Sequence, residues 1–250
     1  MNSEPEALRR AADLIVRAGR AAALTGAGIS VESGIPDFRS RGGLWTRYPP
    51  EEYATIHAYR KNPAKVWKML AEMEDLLKAA KPNPAHETLS RMEADGLLKG
   101  VVTQNIDGLH HLAGSKNVIE FHGSHRSLTC LDCGAAFKGA EAEKMDRPPR
   151  CPCGGVPKPD VVFFGEEIPV AALNGARALA SGVGAMLVVG TSAEVAPASH
   201  MPAMAKRNGA VVIEINLEPT GLTGSVTDVF IKGKAGAVLP RLYGEIARIS

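Results

Sequence analysis

Short apolar runs and helical stripes alternate along the whole chain. Residues 1–19 read as an amphipathic helix: Ser3 with Glu6 three positions on is a capping-box pattern, Leu8, Ala11, Ala12 and Ile15 share one face, and Gly19 ends it. Ala21 to Thr25 is small and apolar, with Leu24 its one bulky side chain, and predicts a buried parallel strand. It runs into Gly26-Ala27-Gly28 and a short helical stretch. Residues 40–62 carry Gly42, Gly43, Pro49 and Pro50 and predict loop with at most short helical turns. Asn62-Pro63 and Asn83-Pro84 are helix starts, the first followed by Val66, Leu70, Met73 and Leu77 at helical spacing, the second running to Asp95 before Gly96. Four more apolar runs each end in a polar or glycine turn. Val101–Thr103 leads to Gln104-Asn105-Ile106-Asp107, and Val118–Phe121 to His122-Gly123-Ser124; Val161–Phe164 leads to Gly165-Glu166, and Ala185–Val189 to Gly190-Thr191-Ser192. Val211–Ile215 then reaches Asn216, a late strand covers Val229–Ile231, and a helix from about Ala237 closes the chain. This alternation predicts an α/β fold built on a doubly wound parallel sheet, whose ligands gather at the carboxyl ends of the strands, where the polar turns fall.

Composition narrows the function classes. With 29 basic and 27 acidic residues the net charge is +2, which argues against broad electrostatic binding of nucleic acid or membrane surface. Arg9, Arg10 and Asp13 interrupt the N-terminal apolar stretch, so a helix is expected there and not a signal peptide, and no run approaches a membrane span. Four cysteines without an export signal point to a reducing, cytoplasmic setting and to metal before disulfide. They sit between Arg126 and Lys158, where prolines and glycines replace periodicity, and mark a small inserted module. Cys130-x-x-Cys133 has knuckle spacing; Cys151-x-Cys153 is one residue short, and Pro152, Gly154 and Gly155 suit the tighter turn it needs. Four thiolates favour zinc and close a tetrahedral site, so the ion would be structural.

The polar turns supply the remaining chemistry. Gly26-x-Gly28-x-Ser30 lacks the third glycine of the common dinucleotide fingerprint and reads either as a phosphate loop with free N–H groups or as a tight strand-to-helix turn. Asp37, Phe38 and Arg39 lie just past it; Asp37 and Arg39 form a surface ion pair, or Arg39 neutralises a phosphate. Gln104, Asn105 and Asp107 bring two amides and a carboxylate to a strand end, fit for ribose hydroxyls, a water and a carboxamide, or for capping the next helix. His122, at another strand end and followed by glycine, is a candidate general base. The remaining histidines offer less: His57, His110, His111 and His200 lack such partners, and His86 and His125 read as helix or loop contacts.

The order GAGIS, GIPDFR, TQNIDGLH, HGS, two cysteine pairs, VVFFGE, GTS, EIN and GKAG resembles the sirtuins, the NAD-dependent protein-lysine deacylases, from about Ala21 to the last helix. The resemblance implies a Rossmann-like NAD domain (1–39, 86–124, 159–250), a helical insert (40–85) and a zinc module (125–158), with NAD and acyl-lysine meeting between them. By matching position, Gly26, Ala27, Gly28, Ser30 and Arg39 would hold the pyrophosphate, Asp37 would help bind NAD, and Phe38 would shield the anomeric carbon. Gln104 and Asn105 would meet the ribose, Asn105 also a water, and Ile106 and Asp107 the carboxamide. Gly190, Thr191, Ser192, Asn216, Leu217, Glu218 and Ala235 would surround the adenosine half. Val162, Phe163, Phe164, Gly165 and Glu166 would pair with the substrate peptide as an added strand. The implied reaction starts with attack of the acyl oxygen on the ribose carbon bearing nicotinamide. His122 then assists a ribose hydroxyl as general base in attacking the imidate carbon, and water finishes the reaction, giving free lysine, nicotinamide and O-acyl-ADP-ribose.

Three positions depart from the family pattern. Leu112 stands where an arginine is usual, Glu194 makes the segment after Ser192 less apolar, and the second cysteine pair is short. Leu70 and Met73 occupy the places of the Tyr-x-x-Arg pair of desuccinylating members, so an acetyl or longer apolar acyl group is expected. The competing readings are a mono-ADP-ribosyltransferase working in the same cleft, a nicotinamide oxidoreductase, and a silent zinc-and-NAD binding module.

Overall fold

The computed structural model describes residues 4–40 and 42–249. The proposed cap Ser3 lies outside them. Six strands form one parallel sheet: β1 Ala21–Thr25, β2 Leu98–Thr103, β3 Val118–Glu120, β7 Ala185–Val189, β8 Val211–Asn216 and β9 Val229–Lys232, in the order β3-β2-β1-β7-β8-β9. The chain therefore reverses its direction of winding at β1, and the crevice between β1 and β7 is the switch point of a doubly wound fold.

The period of two along each strand builds both faces. Ala21, Ala23, Leu187 and Ile213 turn to one face, where helices Glu4–Ala18, Pro84–Ala94 and Ala235–Ile249 bury Leu8, Ile15, Leu89, Met92, Val238 and Leu242 against them. Ala22, Leu24, Met186, Val188 and Val212 turn to the other, under helices Val170–Ser181 and His200–Arg207. All five residues of β1 are buried, as a central parallel strand requires.

A second sheet has three antiparallel strands in the order β5-β4-β6: β4 Gly123–Cys130, β5 Ala136–Lys138 and β6 Pro157–Val161. This corrects one expectation. The apolar run Val161–Phe164 is not a strand of the parallel sheet; the strand starts earlier, at Pro157, and lies at the edge of the small sheet. Pro157 and Pro159 carry no N–H to donate, which suits an edge and not the middle of a ladder. Gly123, with φ +75°, brings β4 against β6 so closely that a Cβ would stand 2.0 Å from the Asp160 carbonyl oxygen. The glycine after His122 is thus demanded by strand packing.

The loop expected over 40–62 holds three short helices, Leu44–Arg47, Pro50–Tyr53 and Ile56–Lys61, before the long helix Pro63–Ala79 capped by Asn62. These helices and the small sheet share one apolar cluster, in which Tyr59, Val66, Trp67 and Leu70 meet Leu128, Phe137 and Phe163. Trp67 Nε1 and the Tyr59 hydroxyl both donate to the Pro157 carbonyl, at 3.0 and 2.8 Å. No helix among the described residues is long and apolar enough to cross a membrane.

Candidate active site

The carboxyl ends of β1, β2, β3, β7 and β8 are knitted together. Gly28 N–H donates to the Gly190 carbonyl (2.8 Å), and Gln104 N–H to that of Thr25 (2.9 Å). The Gln104 side chain donates to Thr191 Oγ1 (2.9 Å), and Asn216 Nδ2 to the Thr191 carbonyl (2.9 Å). A Cβ on Gly26 would lie 2.7 Å from Thr191 Cβ, one on Gly28 2.8 Å from Gly190 Cα, and one on Gly190 2.4 Å from Ile29 N. The glycines of the two turns therefore exist first to pack on each other.

That packing revises the picture of a bare phosphate nest. The N–H groups of Gly26, Gly28, Ile29 and Ser30 are all bonded within the protein, and among the described residues of the turn Ala27 alone keeps an unpartnered N–H. Ser30 is fully buried. Its hydroxyl donates to Asp107 Oδ2 (2.7 Å) and accepts from Asn105 Nδ2 (3.1 Å). Asn105 Nδ2 also donates to the Gly26 carbonyl (3.1 Å), which leaves Asn105 Oδ1 without a partner among the described residues. Asp107 Oδ1 accepts the Leu109 N–H (2.9 Å), so this carboxylate both starts the helical turn Leu109–Leu112 and anchors Ser30. The Ile106 carbonyl accepts from His125 Nδ1 (2.6 Å).

His122 leans into this same group. Its Nδ1 lies 3.0 Å from the Gln104 carbonyl. A carbonyl can only accept, so Nδ1 carries the hydrogen and Nε2 keeps its lone pair, with no partner among the described residues. Burial pushes the imidazole below its ordinary value of 6.5, against the opposing pull of the Gln104 carbonyl. A neutral ring with a bare Nε2 is the form a general base needs.

Two histidines set aside in the sequence reading lie directly beneath. His86, at the third position of its helix, accepts the Asn83 N–H on Nδ1 (3.4 Å), which turns its Nε2–H toward the Ser30 hydroxyl at 3.5 Å. His110 Nε2 sits 2.9 Å from Thr25 Oγ1, and the two rings meet edge-on with centroids 4.9 Å apart. Desolvation lowers both, His86 to about 4 against the raising influence of Asp107. The Asn-Pro-x-His spacing was the available signal for His86, since a residue at that helix position reaches back to its own cap.

The loop past the glycine turn forms the outer wall. Phe38 is half-buried with its ring centroid 4.9 Å from that of Trp45, and Trp45 in turn lies 6.5 Å from Phe164. Of the two readings open for Asp37 and Arg39, the side-chain ion pair does not form. Asp37 Oδ1 accepts the backbone N–H groups of Arg39 (3.0 Å) and Ser40 (2.8 Å), while Arg39 Nε reaches Glu194 Oε2 at 3.4 Å. Glu194, an oddity in the sequence, is thus the ion-pair partner of Arg39. Ser192 is half-buried, Leu217 and Glu218 are exposed at the rim, Glu218 pairs with Lys232 (3.0 Å), and Ala235 is buried at the start of the last helix. Leu112, the other oddity, points to solvent at 70% exposure.

The four cysteine sulfurs fall within 4.8 Å of one another, with Cys130–Cys153 and Cys133–Cys151 both at 3.6 Å and no disulfide among them. A zinc tetrahedron with bonds of about 2.3 Å has edges of about 3.8 Å, so the set fits one ion. The short pair works because Cys151 N–H and the Gly155 carbonyl close a tight turn (2.9 Å), and because Gly155 has no Cβ, which would stand 2.9 Å from Cys130 Sγ.

Residues 26–197 match the family model described as the Sir2 family. This chain belongs to the Sir2 family. The sirtuin is 47% identical over 238 residues to NAD-dependent protein deacylase 2 of Pyrobaculum aerophilum, covering 95% of each chain. It superposes on a Sir2 enzyme solved to explain Sir2 mechanism and regulation with a TM-score of 0.92 at 44% identity, over 98% of this chain and 99% of that one. A Sir2 homologue in complex with NAD aligns with a TM-score of 0.88 at 41% identity, over 96% and 94%. The strand ends of this sirtuin thus meet in a fold seen elsewhere with NAD.

Proposed function

We propose that this protein is an NAD-dependent protein-lysine deacylase that moves an acyl group from lysine to ADP-ribose, with release of nicotinamide and O-acyl-ADP-ribose. The observation that carries the reading is His122, held with a bare Nε2 by the carbonyl of Gln104, whose N–H in turn bonds the Thr25 carbonyl at the start of the glycine turn. The similarity to a named NAD-dependent deacylase over nearly its whole length supports it. NAD enters as a substrate and supplies the electrophilic ribose carbon and the ADP-ribose acceptor. In this reading His122 Nε2 takes the proton of a ribose hydroxyl, Asn105 Oδ1 orients a ribose hydroxyl or a water, and Gln104 supports the ribose. Ile106 and Asp107 hold the carboxamide. The half-buried Phe38 ring, backed by Trp45, keeps water off the reacting carbon.

Gly26, Ala27, Gly28 and Ser30 shape the pyrophosphate side. Ala27 contributes its unpartnered N–H, and Arg39 exchanges Glu194 for phosphate. Gly190, Thr191, Ser192, Asn216, Leu217, Glu218 and Ala235 line the adenosine half. The peptide pairs with Val162–Glu166, where the Val162 carbonyl and both main-chain groups of Gly165 have no partner among the described residues. The Phe163 and Phe164 main chain is already used, by Glu166, Ala54 and Ile56. Cys130, Cys133, Cys151 and Cys153 hold one structural zinc that takes no part in bond breaking. The division into a NAD domain, a helical insert and a zinc module, and a cytoplasmic setting suited to reduced thiols, belong to the same proposal. The buried Leu70 and half-buried Met73 offer an acidic acyl tail no cation, so the acyl group is acetyl or a longer apolar chain.

The test is incubation with acetyl-, butyryl-, myristoyl- and succinyl-lysine peptides, with and without NAD, read by mass spectrometry. Turnover is expected only with NAD, slowest on succinyl-lysine, and absent in a folded His122→Ala protein. ADP-ribose retained on protein in excess of deacylated peptide would instead favour a mono-ADP-ribosyltransferase.

A further inference from the structure

The proposed peptide-pairing segment is built around one buried ammonium. The Lys158 side chain is 7% exposed; its Nζ donates to the Pro159 carbonyl (2.9 Å) and to the Val161 carbonyl (2.7 Å), and forms an ion pair with Glu166 Oε2 at 3.1 Å. Two carbonyl oxygens and one carboxylate thus gather around the ammonium. The Phe163 ring covers the same charge at 4.7 Å. Glu166 Oε2 also accepts the Phe163 N–H (2.8 Å), and Glu166 N–H donates back to the Phe163 carbonyl (3.0 Å). Lys158 therefore ties the beginning, middle and end of residues 159–166 to one point. Gly165, at φ +87°, turns the chain between them.

A pair of this kind, its ammonium buried and Glu166 half-buried, is weak evidence for stability, because desolvation offsets the attraction of the charges; fixing one geometry is the better-founded role. The geometry fixed here is that of the Val162 carbonyl and the Gly165 main chain, the groups left over for a partner. Among the described residues, the hydrogen bonds, ion pair and ring contact of the Lys158 ammonium all stay within residues 159–166. We infer that Lys158 is a positioning residue for peptide binding: with Glu166 it holds the free edge at Val162 and Gly165 in register for an incoming extended chain. The inference rests on the strand-pairing reading of the substrate, and it predicts an effect on peptide recognition separable from NAD.

The experiment compares wild type with Lys158→Met and Lys158→Arg. Each is assayed on an acetyl-lysine peptide and on the same peptide N-methylated at the residues flanking acetyl-lysine, which removes main-chain donors. Each main-chain bond lost weakens binding by up to about tenfold, so methylation raises the wild-type peptide KM by about tenfold. Lys158→Met raises the peptide KM by a similar factor, leaves the NAD KM within about twofold, and shrinks the methylation penalty to less than about threefold. Lys158→Arg, which keeps the cation, restores most of the peptide KM. Should Lys158→Met fail to fold because Glu166 is left as an unpaired charge, the double variant Lys158→Met with Glu166→Gln removes both charges and carries the same measurement. A wild-type enzyme indifferent to N-methylation overturns the strand-pairing reading itself. A wild-type penalty retained in full by a Lys158→Met or double variant with unchanged peptide KM overturns the role of Lys158 alone, as does an equal rise in the KM of both substrates.

Discussion

His122 shows how little a single side chain needs when its surroundings are arranged. The Gln104 carbonyl chooses the tautomer, and burial keeps the ring neutral. The direction of the shift fixes a pH dependence. A base must be unprotonated, and a ring whose value is depressed stays unprotonated to lower pH, so the acid limb of kcat/KM is expected below pH 6.5, the ordinary imidazole value. A pH–rate profile on acetyl-lysine peptide measures it, and a limb at or above 6.5 would contradict the neutral buried base. The fold must be followed over the same range by circular dichroism, because His86 and His110 are also held neutral by burial. An unfolded chain protonates them first, so stability is whole above pH 6.5 and declines below it, for His86 until about 4.

At the scale of elements, the turns after β1 and β7 act as one part. Gly26 and Gly28 lie against Gly190 and Thr191 at distances that leave no room for a methyl group, and Gly190 adopts φ +59°. Replacing Gly190 by alanine sets a Cβ 2.4 Å from Ile29 N, backbone that has nowhere to go without moving the β1 turn. Gly190→Ala is expected to lower Tm by several degrees, about 1–3 kcal/mol, and to abolish NAD binding measured by calorimetry. Unchanged NAD affinity would show that the turn tolerates the shift. The sequence made these turns visible because glycine punctuates apolar strands, and it made the parallel sheet visible because five buried strands carry the same signature. It misassigned Val161–Phe164 for the same reason: VVFF looks like a buried parallel strand, and only the prolines just upstream marked an edge. His86 and His110 escaped because their partners, Ser30 and Thr25, stand 56 and 85 residues away, a separation no local period reports. Glu194 was seen as a departure, but its pairing with Arg39 depends on two loops that meet only in the fold.

Across the whole molecule the apolar residues divide into two clusters on the faces of the parallel sheet and a third shared by the helices of residues 50–79 and the cysteine-bearing strands. That third cluster has few residues and its small sheet has three strands, so a metal that joins Cys130 and Cys133 to Cys151 and Cys153 is expected to contribute much of its order. The chain carries its own reporter. Both tryptophans, Trp45 and Trp67, pack in or against this cluster, and neither lies in the clusters on the parallel sheet. Removing zinc with a strong chelator is therefore expected to shift tryptophan emission to the red and abolish deacylation, while most of the far-ultraviolet circular dichroism persists. Restoring zinc should reverse both changes. The loss of activity follows without any zinc chemistry in the reaction, because Phe163, one residue from the proposed peptide edge, is a member of that cluster, and Trp45 bridges Phe38 to Phe164. If emission and circular dichroism instead collapse together at one chelator concentration, the metal supports the whole molecule as a single cooperative unit.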